Sequence, residues 1–473
     1  MKTIVMKFGG SLVASPQGMR RVADLVMRSK QEGYEVVAVV SALGQGTDLL
    51  LRAAQEAVAH DAKKMDVAVH ELKLIHSSVI EQTTVGSGEK RALNHATGLA
   101  LEELKRTLIG VSALGELSPR SKDLILSFGE RLSAPILAAE IRERGVSALS
   151  LTGGEAGIVT DSSFGEAALD SAATTRAVRK SLLPRLAAGQ VPVVGGFIAR
   201  SKEGEVTTLG RGGSDYTATL LGAALKADEV WIWTDVDGIL SADPRIVKGS
   251  SPVMHLSYPE AEELAFFGAK NMHPLALGPA RTNHVPVRIK NGFRPDFPGT
   301  LINDQMMRSE GIIKAVAVVR NVGLLTVAGE TLQGRPGMAA KVFSALAAAG
   351  VNILMISQSV SEANIGMIVK RGHLRTSERA LRHELKKEGI AVTLESDSRV
   401  AVVAAVGAGM RGEKGVAAKV FGTVAAAGIN VRMIAQGSSE MNISFVVDEG
   451  DADEAVRALH RHAVRPGARK SRA

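Results

Sequence analysis

The sequence predicts an α/β protein, in which a doubly wound, mostly parallel sheet is followed by two small domains of similar sequence. Short apolar segments alternate with long alanine- and leucine-rich stretches up to about residue 305. Continuous apolar strands of this kind are typical of parallel sheets covered on both faces. Polar or glycine-rich turns follow four of these strands, and the C-terminal third contains an internal repeat.

The first 45 residues have the pattern of a βαβ unit. Residues 3–8 form a short apolar strand that two glycines end, and residues 17–31 have the periodicity of an amphipathic helix. Residues 35–41 form a second apolar strand. The same strand pattern recurs at residues 190–197 and 229–234, which favours one continuous α/β domain.

The internal repeat lies at an offset of 78 residues, the separation between Gly337 and Gly415. The copies read PGMAAKVFSALAAAGVNI and KGVAAKVFGTVAAAGINV, and they align without a gap. Each predicts a strand, a glycine turn, an amphipathic helix and a strand containing Asn. The repeat therefore predicts two small βαβ-type domains, after a linker near residues 303–311 and with a weaker boundary near residues 387–389.

Composition excludes several classes of protein. The chain has no cysteine, which rules out disulfides, thiolate catalysis and cysteine metal sites, and fits the cytoplasm as the expected compartment. No signal peptide and no apolar run of about 20 residues is present, so no membrane partner is expected. The net charge is +8 with only 3% aromatic residues, which favours small anionic ligands over nucleic acid. Residues 466–473 form a basic tail.

Several well-known nucleotide-binding patterns are absent. The sequence has neither a Walker P-loop nor the catalytic loop and D-F-G of protein kinases, and Leu49 interrupts a candidate dinucleotide fingerprint. The four strand-end turns lie instead at residues 7–11, 41–47, 195–197 and 234–238. Ligands of open α/β sheets bind at the carboxyl ends of strands, and glycine lets backbone N–H groups approach phosphate.

The segment TLGRGGSD, residues 208–215, combines a flexible backbone with the cation Arg211 and the carboxylate Asp215. A guanidinium suits a carboxylate ligand, because its planar fork can bind two oxygens at once. Arg245 and Lys270 supply further cations beside turn signals. The alternative for residues 208–215 is a glycine-rich hairpin with a surface ion pair.

These motifs resemble those of a known family. KFGGS, SALGQGT, SFGER, GRGGSD, TDVDG, DPR and FGAKNMHP occur in the order and spacing of aspartokinases of the amino-acid-kinase superfamily, and the match extends from about residue 4 to residue 448. The repeats resemble paired ACT domains. The resemblance implies an amino-acid-kinase domain at 1–305 and two α+β, ferredoxin-like ACT domains at 312–390 and 396–465.

The implied activity is ATP-dependent phosphorylation of the aspartate side chain to 4-phospho-aspartate, the first step of lysine, threonine and methionine biosynthesis. ATP and Mg²⁺ are the expected cofactors, with Mg²⁺ held on the ATP phosphates, since few carboxylates cluster here. Feedback by lysine or threonine through the ACT domains is expected, although the sequence leaves both, or neither, open. ACT domains usually pair, so a homodimer or larger assembly is expected.

The resemblance also implies roles for particular residues. Catalysis is assigned to Lys7, which would contact the transferring phosphate, and to Asp215, which would orient Lys7 and the phosphoryl-transfer centre. Aspartate would be held by Ser41, Thr47, Glu130, Arg211 and Ser214, with Glu130 facing the amino group and Arg211 the α-carboxylate. ATP would be held by Lys7, Gly9, Gly10, Ser11, Gly213, Thr234, Asp235, Arg245 and Lys270. Leu240 stands where several relatives have a tyrosine, which leaves the nucleotide contact there open.

The repeats predict effector-binding side chains at Asn352, Gln358, Asn430 and Gln436, or alternatively two modules that only dimerise. Other functions also remain open at this stage. A kinase for glutamate or acetylglutamate would differ in its substrate profile. A catalytically inactive amino-acid sensor would not be expected to keep Lys7, Arg211 and Asp215. A nucleic-acid binder would show steeply salt-dependent binding.

Overall fold

The computed structural model describes residues 2–267, 274–307, 312–329, 332–361, 363–387 and 389–464. These residues form two compact units. The N-terminal unit contains the chain up to Ile239, Met254–Tyr258 and residues 274–305. The C-terminal unit contains Leu240–Val253, residues 259–267 and the chain from Met306 onward. The sequence suggested a single break near residue 305, whereas two earlier segments group with the C-terminal unit.

The strands are β1 (Lys2–Phe8), β2 (Tyr34–Val40), β3 (Ala148–Thr152), β4 (Val159–Thr160), β5 (Val191–Gly195), β6 (Ile198–Ser201), β7 (Val206–Thr208), β8 (Glu229–Thr234), β9 (His255–Ser257), β10 (Val287–Asn291), β11 (Thr300–Asn303), β12 (Ala315–Ala328), β13 (Ile353–Gln358), β14 (Asn364–Lys370), β15 (Thr393–Val406), β16 (Met433–Ala435) and β17 (Asn442–Asp448). The helices are α1 (Gly10–Val13), α2 (Pro16–Gln31), α3 (Gly46–Val58), α4 (Ala62–Glu81), α5 (Ser87–Leu114), α6 (Pro119–Glu143), α7 (Gly153–Ala156), α8 (Ser171–Ala187), α9 (Gly213–Leu225), α10 (Tyr258–Phe266), α11 (Gly278–Thr282), α12 (Met338–Ala348), α13 (Leu374–Lys387), α14 (Val416–Ala426) and α15 (Ala452–His462). Among the described residues, no helix combines the length and the apolar character that crossing a membrane requires.

The N-terminal unit is built on an eight-stranded sheet with the order β3-β5-β2-β1-β8-β10-β11-β9. The strands from β3 to β10 pair in parallel, β11 is antiparallel to β10, and β9 is parallel to β11. This confirms the predicted mostly parallel sheet. A smaller sheet, β4-β6-β7, belongs to the same unit.

Helices cover both faces of the sheet, and alternation along β1 decides which residues face which layer. Met6 and Phe8 are buried in a core with residues of α2 and α6. Lys7 lies between them in the strand and therefore points to the opposite face, where α9 packs. One face of β1 thus contributes apolar side chains to the core, and the other face presents a polar side chain.

The C-terminal unit contains a six-stranded sheet, β13-β14-β12-β15-β17-β16, whose two central strands pass through both repeats. Val316, near the start of β12, is buried in the core of the second repeat, whereas Leu325 and Val327 are buried in the core of the first. The register changes between Val319 and Val322, around Asn321, which has φ +58°.

Each repeat therefore forms an α+β domain with one strand from outside its own repeat. The first combines β12, α12, β13, β14 and α13 with the beginning of β15, and the second combines the end of β15, α14, β16, β17 and α15 with the beginning of β12. Residues 315–319, which the sequence assigned to the first domain, pair with Val402–Val406 and pack in the second. A repeat search could not detect this, because the exchanged strands lie outside the aligned copies.

Candidate active site

The four predicted turns follow β5, β2, β1 and β8, which are consecutive neighbours in the sheet. Their parallel direction brings all four turns to the same edge. Backbone hydrogen bonds continue between neighbouring strands at this edge: Gly196 N–H donates to Val40 O at 3.0 Å, and Ser41 N–H donates to Phe8 O at 3.2 Å. Chain segments nearly 190 residues apart therefore meet at one place (196 − 8 = 188).

An ion pair between Lys7 and Asp215 lies at this edge. The Nζ atom of Lys7 is 2.5 Å from Oδ1 of Asp215, and each side chain is 12% exposed. Asp215 lies in the first turn of α9, where the helix dipole favours a negative charge. The pair holds a lysine ammonium at the end of β1, where it can contact an anion in the adjoining turns.

Glu130 is a buried carboxyl group on α6, next to the end of β2. Its Oε1 accepts a hydrogen bond from Ala42 N–H at 3.1 Å, whereas its buried Oε2 has no hydrogen-bond partner among the described residues. Burial raises the pKa of Glu130 to about 8, although the Ala42 N–H and the charge of Lys7 counteract this shift. A buried acceptor without a partner is costly unless a ligand satisfies it, so Glu130 is suited to a cationic donor.

Ser214 lies at the start of α9 and packs closely on the turn after β5. A Cβ atom at Gly196 would lie only 2.7 Å from the Cβ of Ser214, so the close approach requires glycine at this position. The next residue, Phe197, has φ +66° and donates its N–H to Thr217 Oγ1 at 3.0 Å. These contacts fix the beginning of α9, including Asp215, relative to the sheet.

Arg211 lies on the loop between β7 and α9, and its side chain is exposed. It forms no ion pair within the described parts of the chain. It lines a cavity of about 800 Å³, together with Tyr216 and with residues 166–169, 278–279 and 282–283. Lys7 does not line this cavity, so the structure does not bring the two cations together in it.

The remaining predicted residues of the N-terminal unit lie in or next to the turns. Gly9, Gly10 and Ser11 follow β1, exposed Thr47 is in the first turn of α3, and Gly213 begins α9. Thr234 ends β8 and donates its hydroxyl to Asp235 Oδ1 at 3.1 Å.

Other predicted residues are not brought to this edge within the N-terminal unit. Arg245 belongs to the C-terminal unit, where its guanidinium lies 2.5 Å from Asp243. Lys270 lies outside the described residues.

The predicted effector residues Asn352, Gln358, Asn430 and Gln436 are all exposed in the C-terminal unit. Asn352 and Asn430 were expected within strands. They precede β13 and β16 instead, because each helix ends in a glycine turn that delays the strand. Gln358 ends β13 and Gln436 follows β16, the two outermost strands of the six-stranded sheet.

Sequence reasoning missed one residue, Asp123. It lies on α6, is almost fully buried, and accepts hydrogen bonds from Gly165 and Thr208. A single aspartate outside any glycine-rich motif gives no local signal of such a role. Among the described residues, no group of three or more His, Asp or Glu side chains is arranged to hold a metal ion.

Comparison with known proteins gives the family. The amino acid kinase family model matches residues 2–291, and the ACT domain model matches residues 325–385 and 403–462. The chain is 37% identical to the chloroplastic aspartokinase 1 of Arabidopsis thaliana over 466 residues, which covers 97% of this chain and 80% of that protein.

Solved structures agree. Escherichia coli aspartokinase III in complex with aspartate and ADP, in the R-state, has a TM-score of 0.83 at 31% identity and covers 98% of this chain and 99% of its own. The same enzyme with lysine and aspartate, in the T-state, has a TM-score of 0.79 at 31% identity, and the match covers 98% of this chain and 100% of that one. The chain therefore belongs to the aspartokinases of the amino acid kinase family, and is an aspartate kinase with two ACT domains.

Proposed function

We propose that the reaction takes place where the four strand-end turns meet, with ATP as the phosphoryl donor and the side-chain carboxylate of aspartate as the acceptor. The observation that carries this proposal is the Lys7–Asp215 ion pair at the end of β1. It places one ammonium among turns that carry glycine and hydroxyl groups, as a phosphate site requires.

The chemistry explains why the proposed reaction needs no general base. A carboxylate acceptor is ionised at neutral pH, so no proton has to be removed from it. The obstacle is repulsion between the carboxylate and the phosphates, about 4 kcal/mol for two unit charges 4 Å apart at an effective dielectric constant of 20. Phosphoryl transfer is catalysed mainly by positioning and by cations placed near the developing charge. Lys7 supplies that cation, and Asp215 orients it.

Recognition of aspartate is assigned to groups of opposite charge. Glu130 accepts the amino group through its unpartnered Oε2, and Arg211 binds the α-carboxylate. The hydroxyl groups of Ser41, Thr47 and Ser214 complete the contacts. The aspartate bound in the E. coli aspartokinase III complexes supports this substrate.

Nucleotide binding is assigned to the turns after β1 and β8. Gly9, Gly10 and Ser11 line the phosphate path, and Gly213, Thr234, Asp235, Arg245 and Lys270 complete the set. The ADP in the E. coli complex supports ATP as the donor. Mg²⁺ bound to the ATP phosphates would neutralise part of their charge. The residues present fit a cation held mainly by ATP and water, as is usual for Mg²⁺, since the described residues contain no carboxylate cluster.

Regulation is assigned to the ACT domains. The E. coli enzyme has been solved with lysine in a T-state, which supports an amino-acid effector, lysine or threonine, for this chain. The effector would favour a state that binds substrate poorly, which is a shift of population between two conformations. Asn352, Gln358, Asn430 and Gln436 remain the proposed contacts, and a homodimer or larger assembly through the ACT domains remains the proposed state. The proposed catalytic domain is 1–305, with regulatory domains near 312–390 and 396–465.

A hydroxamate assay of acyl phosphate formation tests the substrate assignment. Aspartate, glutamate and N-acetylglutamate are supplied in turn with ATP and Mg²⁺, in the presence and absence of lysine and threonine. We expect ATP-dependent product with aspartate and inhibition by at least one effector. Product with glutamate or N-acetylglutamate but none with aspartate would refute the proposal, and no product at all would indicate a sensor without activity.

A further inference from the structure

The carboxylate of Asp123 joins two loops from inside the N-terminal unit. Only 1% of Asp123 is exposed. Its Oδ1 accepts the hydroxyl hydrogen of Thr208 at 2.7 Å, and its Oδ2 accepts the N–H of Thr208 at 3.1 Å and the N–H of Gly165 at 3.0 Å. Three donors to one buried carboxylate form a strong anchor, because hydrogen bonds to a charged group are shorter and stronger than neutral ones.

The two anchored loops lead to the same cavity. Residues 166–169 directly follow Gly165, residues 209–211 directly follow Thr208, and both stretches line the cavity of about 800 Å³. Arg211 belongs to the second stretch. Asp123 itself does not line the cavity, so it acts from behind the two loops.

The loop that carries Arg211 has little to fix it besides its two ends. Gly210 and Gly212 flank Arg211, with φ +72° and +73°, and neither has a side chain that could pack. The loop is held at one end by the Asp123–Thr208 bonds and by Leu209 N–H, which donates to Phe197 O at 2.9 Å. The first turn of α9 holds the other end. The position of the guanidinium therefore depends on these anchors.

We infer that Asp123 is a positioning residue for aspartate binding, which sets the loop that presents Arg211 to the α-carboxylate. This inference rests on the proposed role of Arg211. A displacement of about 1 Å can cost about a hundredfold in rate or affinity when a group must meet its partner in one geometry. We expect the displacement to weaken binding of aspartate and not of ATP, because Arg211 on the anchored loop is assigned to aspartate.

The variants Asp123→Ala and Asp123→Asn test the inference. Alanine removes all three hydrogen bonds, and we expect it to raise KM for aspartate about tenfold or more, with KM for ATP unchanged and kcat nearly unchanged. Asparagine can keep all three: its oxygen accepts from both N–H groups, and its amide donates to the Thr208 oxygen. We therefore expect Asp123→Asn to restore the wild-type KM for aspartate.

Glu140 provides a matched control for lost stability. Its carboxyl group is also on α6, its side chain is fully buried, and it accepts from Thr84 N–H at 2.9 Å and from Thr84 Oγ1 at 2.7 Å. Glu140→Ala removes the same kinds of bond away from the proposed site, together with an ion pair between Glu140 and Arg144. We expect it to lower the melting temperature without changing KM for aspartate. If Asp123→Ala does not fold, Thr208→Val, which removes only one of the three bonds, is measured in its place, with an expected rise of about threefold.

Arg211→Ala separates failure of the inference from failure of the proposed function. If Arg211→Ala leaves KM for aspartate unchanged, the role of Arg211 is wrong and the inference falls with it. Only the inference is overturned if Arg211→Ala raises KM for aspartate but Asp123→Ala does not. The same holds if Asp123→Ala raises KM for aspartate and KM for ATP by the same factor. The inference is supported if the two substitutions are not additive, so that Asp123→Ala causes no further rise in KM for aspartate in a chain that already carries Arg211→Ala.

Discussion

The ammonium of Lys7, on β1, lies 2.5 Å from the carboxylate of Asp215, on α9, so that a strand and a helix far apart in sequence share one ion pair. The carboxylate restricts where the ammonium can point. We predict that Asp215→Ala lowers kcat about a hundredfold, because a loosely held cation stabilises the transition state less well. Steady-state kinetics with the hydroxamate assay measures this effect.

A second buried lysine pair serves as its control. Lys30 Nζ lies 2.8 Å from Glu35 Oε2, and the side chains are 15% and 11% exposed, close to the values for Lys7 and Asp215. Glu35→Ala should leave kcat unchanged. An Asp215→Ala enzyme with wild-type kcat, or an equal loss in both variants, would argue against a specific role for Asp215.

The pKa of Glu130 predicts a pH dependence of aspartate binding. Burial raises this pKa to about 8, so the ligand-free group is largely protonated at pH 7. Only the ionised carboxylate attracts an ammonium, and binding must therefore release a proton. We predict that KM for aspartate falls as pH rises from 6 to about 8, and that Glu130→Gln removes this dependence while raising KM. A KM for aspartate that stays constant over this range would contradict the assignment.

The same shift predicts how stability depends on pH. The pKa in the folded protein lies above the ordinary value of 4.5, so folding favours the protonated form of Glu130. The contribution is fully present below pH 4.5 and is lost as pH rises through about 8. We therefore expect the free energy of unfolding, measured by urea denaturation, to fall for the wild type relative to Glu130→Gln as pH increases from 5 to about 8.

The close approach at Gly196 predicts a sharp steric effect. A Cβ atom there would lie 2.7 Å from the Cβ of Ser214 and 2.9 Å from its Cα, so Gly196→Ala must displace the start of α9. We expect a large loss of kcat/KM, since Asp215 lies in the same turn. Gly98→Ala is the control: Gly98 lies inside α5 with open space around its Cα, and alanine there should stabilise the helix by about 1 kcal/mol. Equal activity in the two variants would contradict this packing.

A buried ion pair in the C-terminal unit gives a stability prediction. Lys314 Nζ lies 3.0 Å from Glu260 Oε2, with side chains 3% and 0% exposed, and Glu260 Oε1 accepts from Ala408 N–H at 2.6 Å. Lys314→Met removes a buried cation beside a buried carboxylate, which we expect to cost about 3–5 kcal/mol of unfolding free energy.

The control for Lys314 is an exposed pair of similar length. Lys105 Nζ lies 2.8 Å from Asp66, and both side chains are about half exposed. Lys105→Met should cost less than about 1 kcal/mol, because water screens the pair. Urea titration of both variants measures the difference, and similar losses would show that burial of Lys314 has no energetic consequence.

Local pattern was enough to predict the parts of the fold and site that depend on neighbouring residues. The strands β1, β2, β5 and β8 each appeared as a short apolar run before a turn, because a buried parallel strand needs apolar residues on both faces. The glycine-rich segment around Arg211 was also visible, because its glycines and charged residues are neighbours in the sequence. Their adjacency in the sheet is a property of topology, which the structure supplied.

Features that depend on distant contacts could not be read from local pattern. Asp123 has no motif around it, and its role follows only from Thr208 and Gly165, which reach it from later segments. The exchange of strand ends between the repeats involves β12 and β15, and each of these strands contributes apolar residues to both cores. Residues 240–253 group with the C-terminal unit through side chains such as Ala242, Ile246 and Val247. These apolar residues do not indicate by their type which core they join.

The most direct test of the account is the rate of aspartyl phosphate formation by Lys7→Ala, measured as the hydroxamate beside the wild type and Lys30→Ala. We predict that Lys7→Ala has no detectable activity, whereas its melting temperature stays close to that of the wild type and Lys30→Ala remains active. A Lys7→Ala enzyme that phosphorylates aspartate at a rate near that of the wild type would contradict the proposed site.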